Sequence, residues 1–205
     1  MKVLNLCAGL GGNRMKWEGV EVVAVENNEE IANIYKQNNP NDDVIVGDAH
    51  DFLRKNYEDF DFIWSSPPCQ KHSKMMKATR HKVADYIDLM LYQQIIFLQH
   101  FYKGGWVVEN VKPYYKPLIA PSNIMGRHCF WSNFVMFDIE VETPFRFMDG
   151  TTDKSEQIKK WLGIEYEGNV YYGGNHDPCQ VLRNCVHPEM GRHILNSYVD
   201  GLVGG

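Results

Sequence analysis

No apolar run in this 205-residue sequence approaches the ~18 residues that a membrane span requires, so a spanning helix is excluded. The opening MKVLNLCAGLGGN lacks an apolar segment long enough for a signal peptide. Cysteine is sparse and odd in number, five scattered residues without a secretory setting. That excludes a disulfide framework and reads as reduced thiols in a cytoplasm. Repeats and low-complexity linkers are missing too. Net charge is only −5, so bulk electrostatics does not point to a nucleic-acid partner. With hydrophobic residues at 44% and charged residues at 23%, the chain is an ordinary globular one, of a length that suits one compact domain or one domain with a small lobe.

Charge is unevenly placed, however. Lys71, Lys74, Lys77, Arg80 and Lys82 fall within twelve residues that also hold His72 and His81 and no acid, while the rest of the chain sums to −10. Such a stretch is either a solvated loop or a local contact for phosphates.

The first half alternates short apolar runs with helical patterns, as in a parallel sheet covered by helices. Strands are expected at 3–7, 22–25, 44–46, 60–64 and 106–108, and helices at 28–37, 51–57 and 85–102. Beyond Lys112 the pattern loosens. A strand is expected at 129–137, helices at 154–162 and 189–202, and a mixed segment at 138–178. In open sheets of this class ligands bind outside the carboxyl ends of the strands. Gly9, Glu26, Asp48, Cys69 and Glu109 each follow or end a strand, so they should crowd along one sheet edge.

The chemistry of these residues sharpens that site. Gly9, Gly11 and Gly12 after the first strand let backbone N–H groups approach a ligand closely. An acid ending the second strand, Glu26, is where ribose hydroxyls are held, and Asp48 suits an adenine amino group. A helix N-cap or solvated turn explains either carboxylate taken alone. Pro67-Pro68-Cys69-Gln70 puts a cysteine on a stiff turn beside basic residues, where a thiol can be held as the reactive thiolate. The bland alternative is a small buried thiol.

These motifs, in this order, resemble the DNA (cytosine-5)-methyltransferases along nearly the whole chain. Residues 5–12, Asn-Leu-Cys-Ala-Gly-Leu-Gly-Gly, are similar to the family's first S-adenosylmethionine motif, with Cys7 where an aromatic residue is common. Pro67-Pro68-Cys69-Gln70 resembles the nucleophile motif and Glu109-Asn110-Val111 the glutamate motif. Residues 183–188 resemble the segment that returns to close the cofactor pocket. Gly126-Arg127-His128-Cys129-Phe130-Trp131-Ser132-Asn133 and the small size are most like phage-type members. The resemblance implies an α/β, Rossmann-like fold: a mostly parallel sheet with helices on both faces and a very small target-recognition lobe. It implies a core at 1–137, a recognition region at 138–178 and a C-terminal segment at 179–205 that returns to the core. It further implies methyl transfer from S-adenosylmethionine to carbon 5 of a flipped-out cytosine in double-stranded DNA. Cys69 is the nucleophile, Glu109 holds the base, and Arg127 contacts it. Cofactor contacts carry over to Cys7, Ala8, Gly9, Gly11, Gly12, Glu26, Asn27, Asp48, Ala49, Pro68, Asn184 and Val186. DNA contacts fall to Lys71, Ser73, Lys74, Lys77, Arg80 and Lys82. A phage-type member would act in a bacterial cytoplasm, in restriction–modification or in protecting phage DNA.

Counting back from Trp131 places His128 where the family has its base-contacting arginine, with Arg127 one residue off. Arg127 is assigned because a guanidinium suits a carbonyl acceptor and stays charged. The roughly forty residues at 138–178 leave few side chains for the major groove. They imply a short recognition sequence or help from a second subunit, with Arg146, Lys154, Lys159, Lys160, Tyr171 and Tyr172 as candidate contacts. His176, Cys179, Cys185 and His187 have a spacing suggestive of metal, yet the family needs none and no metal is expected. An exocyclic-amine methyltransferase would want an aromatic residue at position 69. An RNA substrate and a catalytically idle DNA-binding homologue are the remaining alternatives.

Overall fold

The computed structural model describes residues 1–73, 86–144, 152–172 and 177–203. Five parallel strands form its centre: β1 (Lys2–Leu6), β2 (Glu21–Glu26), β3 (Asp43–Val46), β4 (Phe62–Ser65) and β5 (Gly105–Val111). A hairpin of β6 (Asn123–Met125) and β7 (His128–Ser132) completes a seven-stranded sheet, with β7 antiparallel to β5. The order is β3-β2-β1-β4-β5-β7-β6, so the chain winds one way from β1 and the other way from β4. The reversal opens a crevice at the carboxyl ends of β1 and β4.

Buried strands are apolar on both faces, and alternate side chains feed two cores. Leu4, Leu6, Ile63 and Val108 pack with Leu53 of α2 (Ala49–Asn56) and Leu91, Ile95 and Leu98 of α3 (Met90–Phe101). Val3, Phe62, Trp64 and Val107 pack with Met190, Ile194 and Leu195 of α6 (Pro188–Val203). A third cluster joins Ile31 and Ile34 of α1 (Glu29–Asn38) to Ile158 and Leu162 of α4 (Thr152–Leu162) and to Val181 and Leu182 of α5 (Cys179–Arg183). Residues 158–170 therefore lean on α1, whereas Ile139 and Val141 pack against the second core. Two hydrogen bonds between Asn38 and the Glu165 backbone, at 2.9 and 2.8 Å, tie the 158–170 stretch to α1.

Several elements differ from the sequence expectation. The strand expected at 129–137 stops at Ser132. Asn133 accepts from the Trp106 N–H at 2.9 Å and donates to the Gly104 carbonyl at 2.9 Å, which closes the ladder and leaves Val135 and Phe137 exposed. The helix expected at 85–102 starts at Met90, whose N–H is taken by Asp88 Oδ1 at 2.9 Å; residue 85 lies outside the described residues. Strand β6 and helix α5 are too short, three and five residues, to give a periodic signal. No described helix is long and apolar enough to cross a membrane.

Candidate active site

The first wall of the crevice is the turn after β1. Gly9 adopts φ +56°, a left-handed conformation that favours glycine. Its N–H donates to Glu26 Oε2 at 2.9 Å, while the Asn28 N–H donates to Glu26 Oε1 at 3.0 Å. Glu26 is buried and so ties the ends of β1 and β2 together. Close approach explains Gly12. A Cβ there would stand 2.6 Å from the Val186 carbonyl oxygen and 2.7 Å from Cys185 Cβ. The segment that follows α5 thus presses directly on the glycine turn. Asp48 caps α2, accepting from the Asp51 N–H at 2.8 Å, the structural role a carboxylate at that place invites.

The second wall is the Pro67-Pro68-Cys69 turn after β4. Asn110 of β5 clamps it, donating to the Pro67 carbonyl at 2.8 Å. The Cys69 carbonyl accepts from the N–H groups of His72 and Ser73, both at 3.0 Å. Cys69 Sγ points towards Asn184, its thiol donating to Oδ1 at 3.7 Å. Burial pushes this thiol up to about 11. The Glu109 carboxylate adds to the effect and Arg127 opposes it. Desolvation and the neighbouring carboxylate outweigh Arg127, so in the free protein the thiol form of Cys69 is favoured. The basic residues from Lys74 to Lys82 that could favour the thiolate lie outside the described residues. Burial likewise pushes Cys7 and Cys185 up to about 12.

Glu109, buried on β5, meets His128 of β7 across the antiparallel pair. Arg127 Nε donates to His128 Nε2 at 3.2 Å, which leaves the proton on Nδ1 to be donated to Glu109 Oε1 at 2.6 Å. Position 128 thus orients the carboxylate. Arg127, half-buried, also reaches the Cys185 carbonyl at 3.5 Å. Burial lowers its guanidinium, while the Glu109 carboxylate acts to hold its proton.

These walls enclose a cavity of about 250 Å³. Every residue read from the sequence as a cofactor contact lines it except Gly11, which backs onto Tyr35 instead. Cys69 and Glu109 face the same cavity, while Arg127 is not among its lining residues. Sequence reasoning missed Tyr172, Asp88, His50 and Met90, which also line it. The sequence offers Tyr172 as a candidate nucleic-acid contact. Its hydroxyl instead lies 3.9 Å from where a Gly9 Cβ would sit, with Glu26 and Asn184 as neighbours. No local pattern announces it, because it arrives from a distant loop.

The basic stretch is only partly described. Lys71 is exposed, and Ser73 is half-buried and bridged to Pro113. Lys74, Lys77, Arg80 and Lys82, like Arg146 and His176, lie outside the described residues. His72 is buried, so it is removed from the set of surface positive charges. Two recognition candidates need the same correction. Lys154 and Lys159 are buried, and Lys159 spends its ammonium on Glu156 Oε1 and on the carbonyls of Tyr166 and Gly168, 2.8–3.3 Å away. Lys160 remains exposed. Among the described residues no cluster of three or more His, Cys, Asp or Glu could hold a metal ion.

Comparison with known proteins places this geometry. No curated protein sequence matches the chain. A solved structure of Spodoptera frugiperda DNMT2 is 27% identical, with 54% of this chain and 35% of that one covered and a TM-score of 0.40. A prophage-encoded DNA modification methyltransferase of E. coli is 21% identical, with 57% and 33% covered and a TM-score of 0.39. The chain thus spans about a third of the length of these two proteins. Entamoeba histolytica methyltransferase EhMeth shares the fold over 98% of both chains, at a TM-score of 0.59 and 13% identity. The family profile described as C-5 cytosine-specific DNA methylase matches residues 1–117. That match spans more than half of the 205 residues and includes the glycine turn, Glu26, Asp48, Cys69 and Glu109, and the chain belongs to this family.

Proposed function

We propose that this protein transfers a methyl group from S-adenosylmethionine to carbon 5 of cytosine in double-stranded DNA. The observation that carries the reading is one cavity shared by a nucleoside-type cradle and a cysteine–glutamate pair. The cradle suits the donor chemically. Glycine-turn amides, the Glu26 and Asp48 carboxylates and apolar walls from Val25, Met90 and Val181 match an amino-acid end, a ribose and a purine. Glu26, Asn27, Asp48 and Ala49 would hold the adenosine, and Gly9, Gly12, Asn184 and Val186 the rest. When bound, the donor supplies an electrophilic methyl on a sulfonium.

Cytosine carbon 5 is too weak a nucleophile to take that methyl unaided. Cys69, once deprotonated, adds to carbon 6 and turns the ring into an enamine whose carbon 5 attacks the methyl. Glu109, oriented by His128, takes up the proton that Cys69 gives up and donates it to ring nitrogen 3 while accepting from the exocyclic amine. The charge that builds on the ring as the sulfur adds is thereby neutralised, and Glu109 takes the proton back as Cys69 leaves. A base, such as a water, then removes the carbon 5 proton. The electron pair of that C–H bond restores the ring double bond, and Cys69 leaves as thiolate. Because Cys69 begins as a thiol, the bound base and Arg127 must shift it towards thiolate inside the complex. A stacked cytosine cannot reach this cavity, so the base is flipped out. Lys71 and Ser73, with the rest of the basic stretch, grip the backbone beside it. The domain division at 137 and 178 belongs to the same reading, as does a brief recognition sequence.

Incubation with methyl donor and a duplex carrying 5-fluorocytosine tests this. A denaturation-resistant protein–DNA adduct, mapped to Cys69 and lost in Cys69→Ala, is expected. No adduct on duplex DNA overturns the reading; an adduct on transfer RNA alone replaces DNA by RNA.

A further inference from the structure

His72 is a buried titratable group that the mechanism above does not use. Its ring is 1% exposed, three residues past the nucleophile. A chain of hydrogen bonds runs to it from α3 and from the segment after β5. The Leu118 N–H donates to the Tyr92 hydroxyl at 3.2 Å, and Tyr92 donates to the Tyr115 hydroxyl at 3.3 Å. Tyr115 lies 2.5 Å from His72 Nδ1. Because each hydroxyl accepts from the group before it, Tyr115 is left to donate to Nδ1. The neutral ring then carries its proton on Nε2, an atom that is buried with no hydrogen-bond partner among the described residues. The backbone around the ring is stitched to the same places. The His72 N–H donates to the Cys69 carbonyl at 3.0 Å, the His72 carbonyl accepts from the Tyr114 N–H at 3.1 Å, and Ser73 bridges to Pro113.

We propose that His72 is a positioning residue for Cys69: as a neutral imidazole held by Tyr115, it clasps the nucleophile turn to the segment that follows Glu109. This rests on the reading of Cys69 as the nucleophile. The clasp fixes the separation of Cys69 and Glu109 at the end remote from Asn110. It also depends on charge. A proton on Nδ1 would meet the Tyr115 O–H head-on and leave a cation in a buried site. Burial disfavours that proton, while the Asp88 carboxylate before α3 favours it. The Tyr115 phenol faces the ring, and burial holds its proton firmly.

The test is the pH profile of kcat for the full chain, alongside nitrogen NMR of the free protein. His72→Asn keeps an acceptor near the place of Nδ1 but cannot titrate. It should lower kcat about threefold to tenfold, the worth of one imperfect hydrogen bond, with KM for DNA and donor unchanged. It should also remove one unit of slope from the acid side of log kcat against pH. Tyr115→Phe deletes the O–H that competes with the proton, so the acid break should move up by about one pH unit. A structural defect alone would scale kcat without moving the break. In the free protein, the His72 nitrogen shifts should show hydrogen on Nε2 at neutral pH. An unchanged acid limb in both variants, or hydrogen on Nδ1, overturns the proposal. If the wild type forms no adduct and transfers no methyl, the function reading fails, while the nitrogen shifts still decide the clasp.

Discussion

The protonation state of Cys69 offers a sharp test of the site's electrostatics. Burial and the Glu109 carboxylate push its thiol from an ordinary 9.0 to about 11 in the free protein. At about pH 8 this leaves roughly a hundredfold less thiolate than an unperturbed cysteine would carry. The more basic thiolate is intrinsically the better nucleophile and returns up to about tenfold of that deficit. Alkylation by iodoacetamide, followed at the Cys69 peptide by mass spectrometry, should therefore be tenfold to a hundredfold slower than for a free thiol. The rate should still climb about tenfold per pH unit between about 8 and 9.5. Glu109→Gln removes the like charge and should pull the profile to lower pH. Arg127→Gln removes the opposing charge and should push it higher. Peptide-level reading is needed because Cys7 and Cys185 also lie at the cavity. A wild-type rate that levels off below pH 9 would refute the claim that desolvation and Glu109 outweigh Arg127. Levelling near neutrality would restore the resting thiolate that the basic residues suggested.

Three further outcomes follow from packing and charge. Gly12→Ala drives a methyl into the Val186 carbonyl and Cys185. It should cost about 2 kcal/mol, a fall in Tm of about 4–8 °C by differential scanning calorimetry; an unchanged Tm would mean the closing segment is not packed as described. Tyr172→Ala strips one wall of the cavity. S-adenosylhomocysteine should then bind about tenfold more weakly by calorimetry, with duplex affinity unchanged, whereas tighter binding would show Tyr172 to be an obstruction. Burial makes His50, His72 and His187 harder to protonate than free histidine. The unfolded chain therefore takes up those protons first. Stability is fully present above the unfolded value near 6.5 and is lost as pH falls through the lowered folded values. Urea midpoints at pH 7.5 and 5.5 should show the drop; equal midpoints would count against buried neutral rings.

The edge where Gly9, Glu26, Asp48, Cys69 and Glu109 gather was legible in the sequence, because parallel strands joined by helices must present their carboxyl ends together. The pairing of Asn184 with Cys69 was not: 115 residues separate them, and no local period reports such a contact. His128 shows the limit of counting along a motif. Its offset from Trp131 leaves open whether it or Arg127 meets the base, and only the β5–β7 register reveals that its ring stands against Glu109. Lys154 and Lys159 read as surface cations on a helical pattern, but α4 turns them inward, and for Lys159 the Tyr166 and Gly168 carbonyls satisfy the ammonium.

What the amino-acid order determined by itself is the set of reactive groups and the end of the sheet on which they stand, since strand alternation, glycine turns and a proline-stiffened cysteine are local properties. Tertiary structure alone decided their charge and orientation. Whether Cys69 keeps its proton, which nitrogen of His72 or His128 carries one, and whether Tyr172 faces the cavity all depend on desolvation and on partners from distant segments. Those terms come into existence only when α5, β7 and the 164–172 stretch close over the ends of β1 and β4.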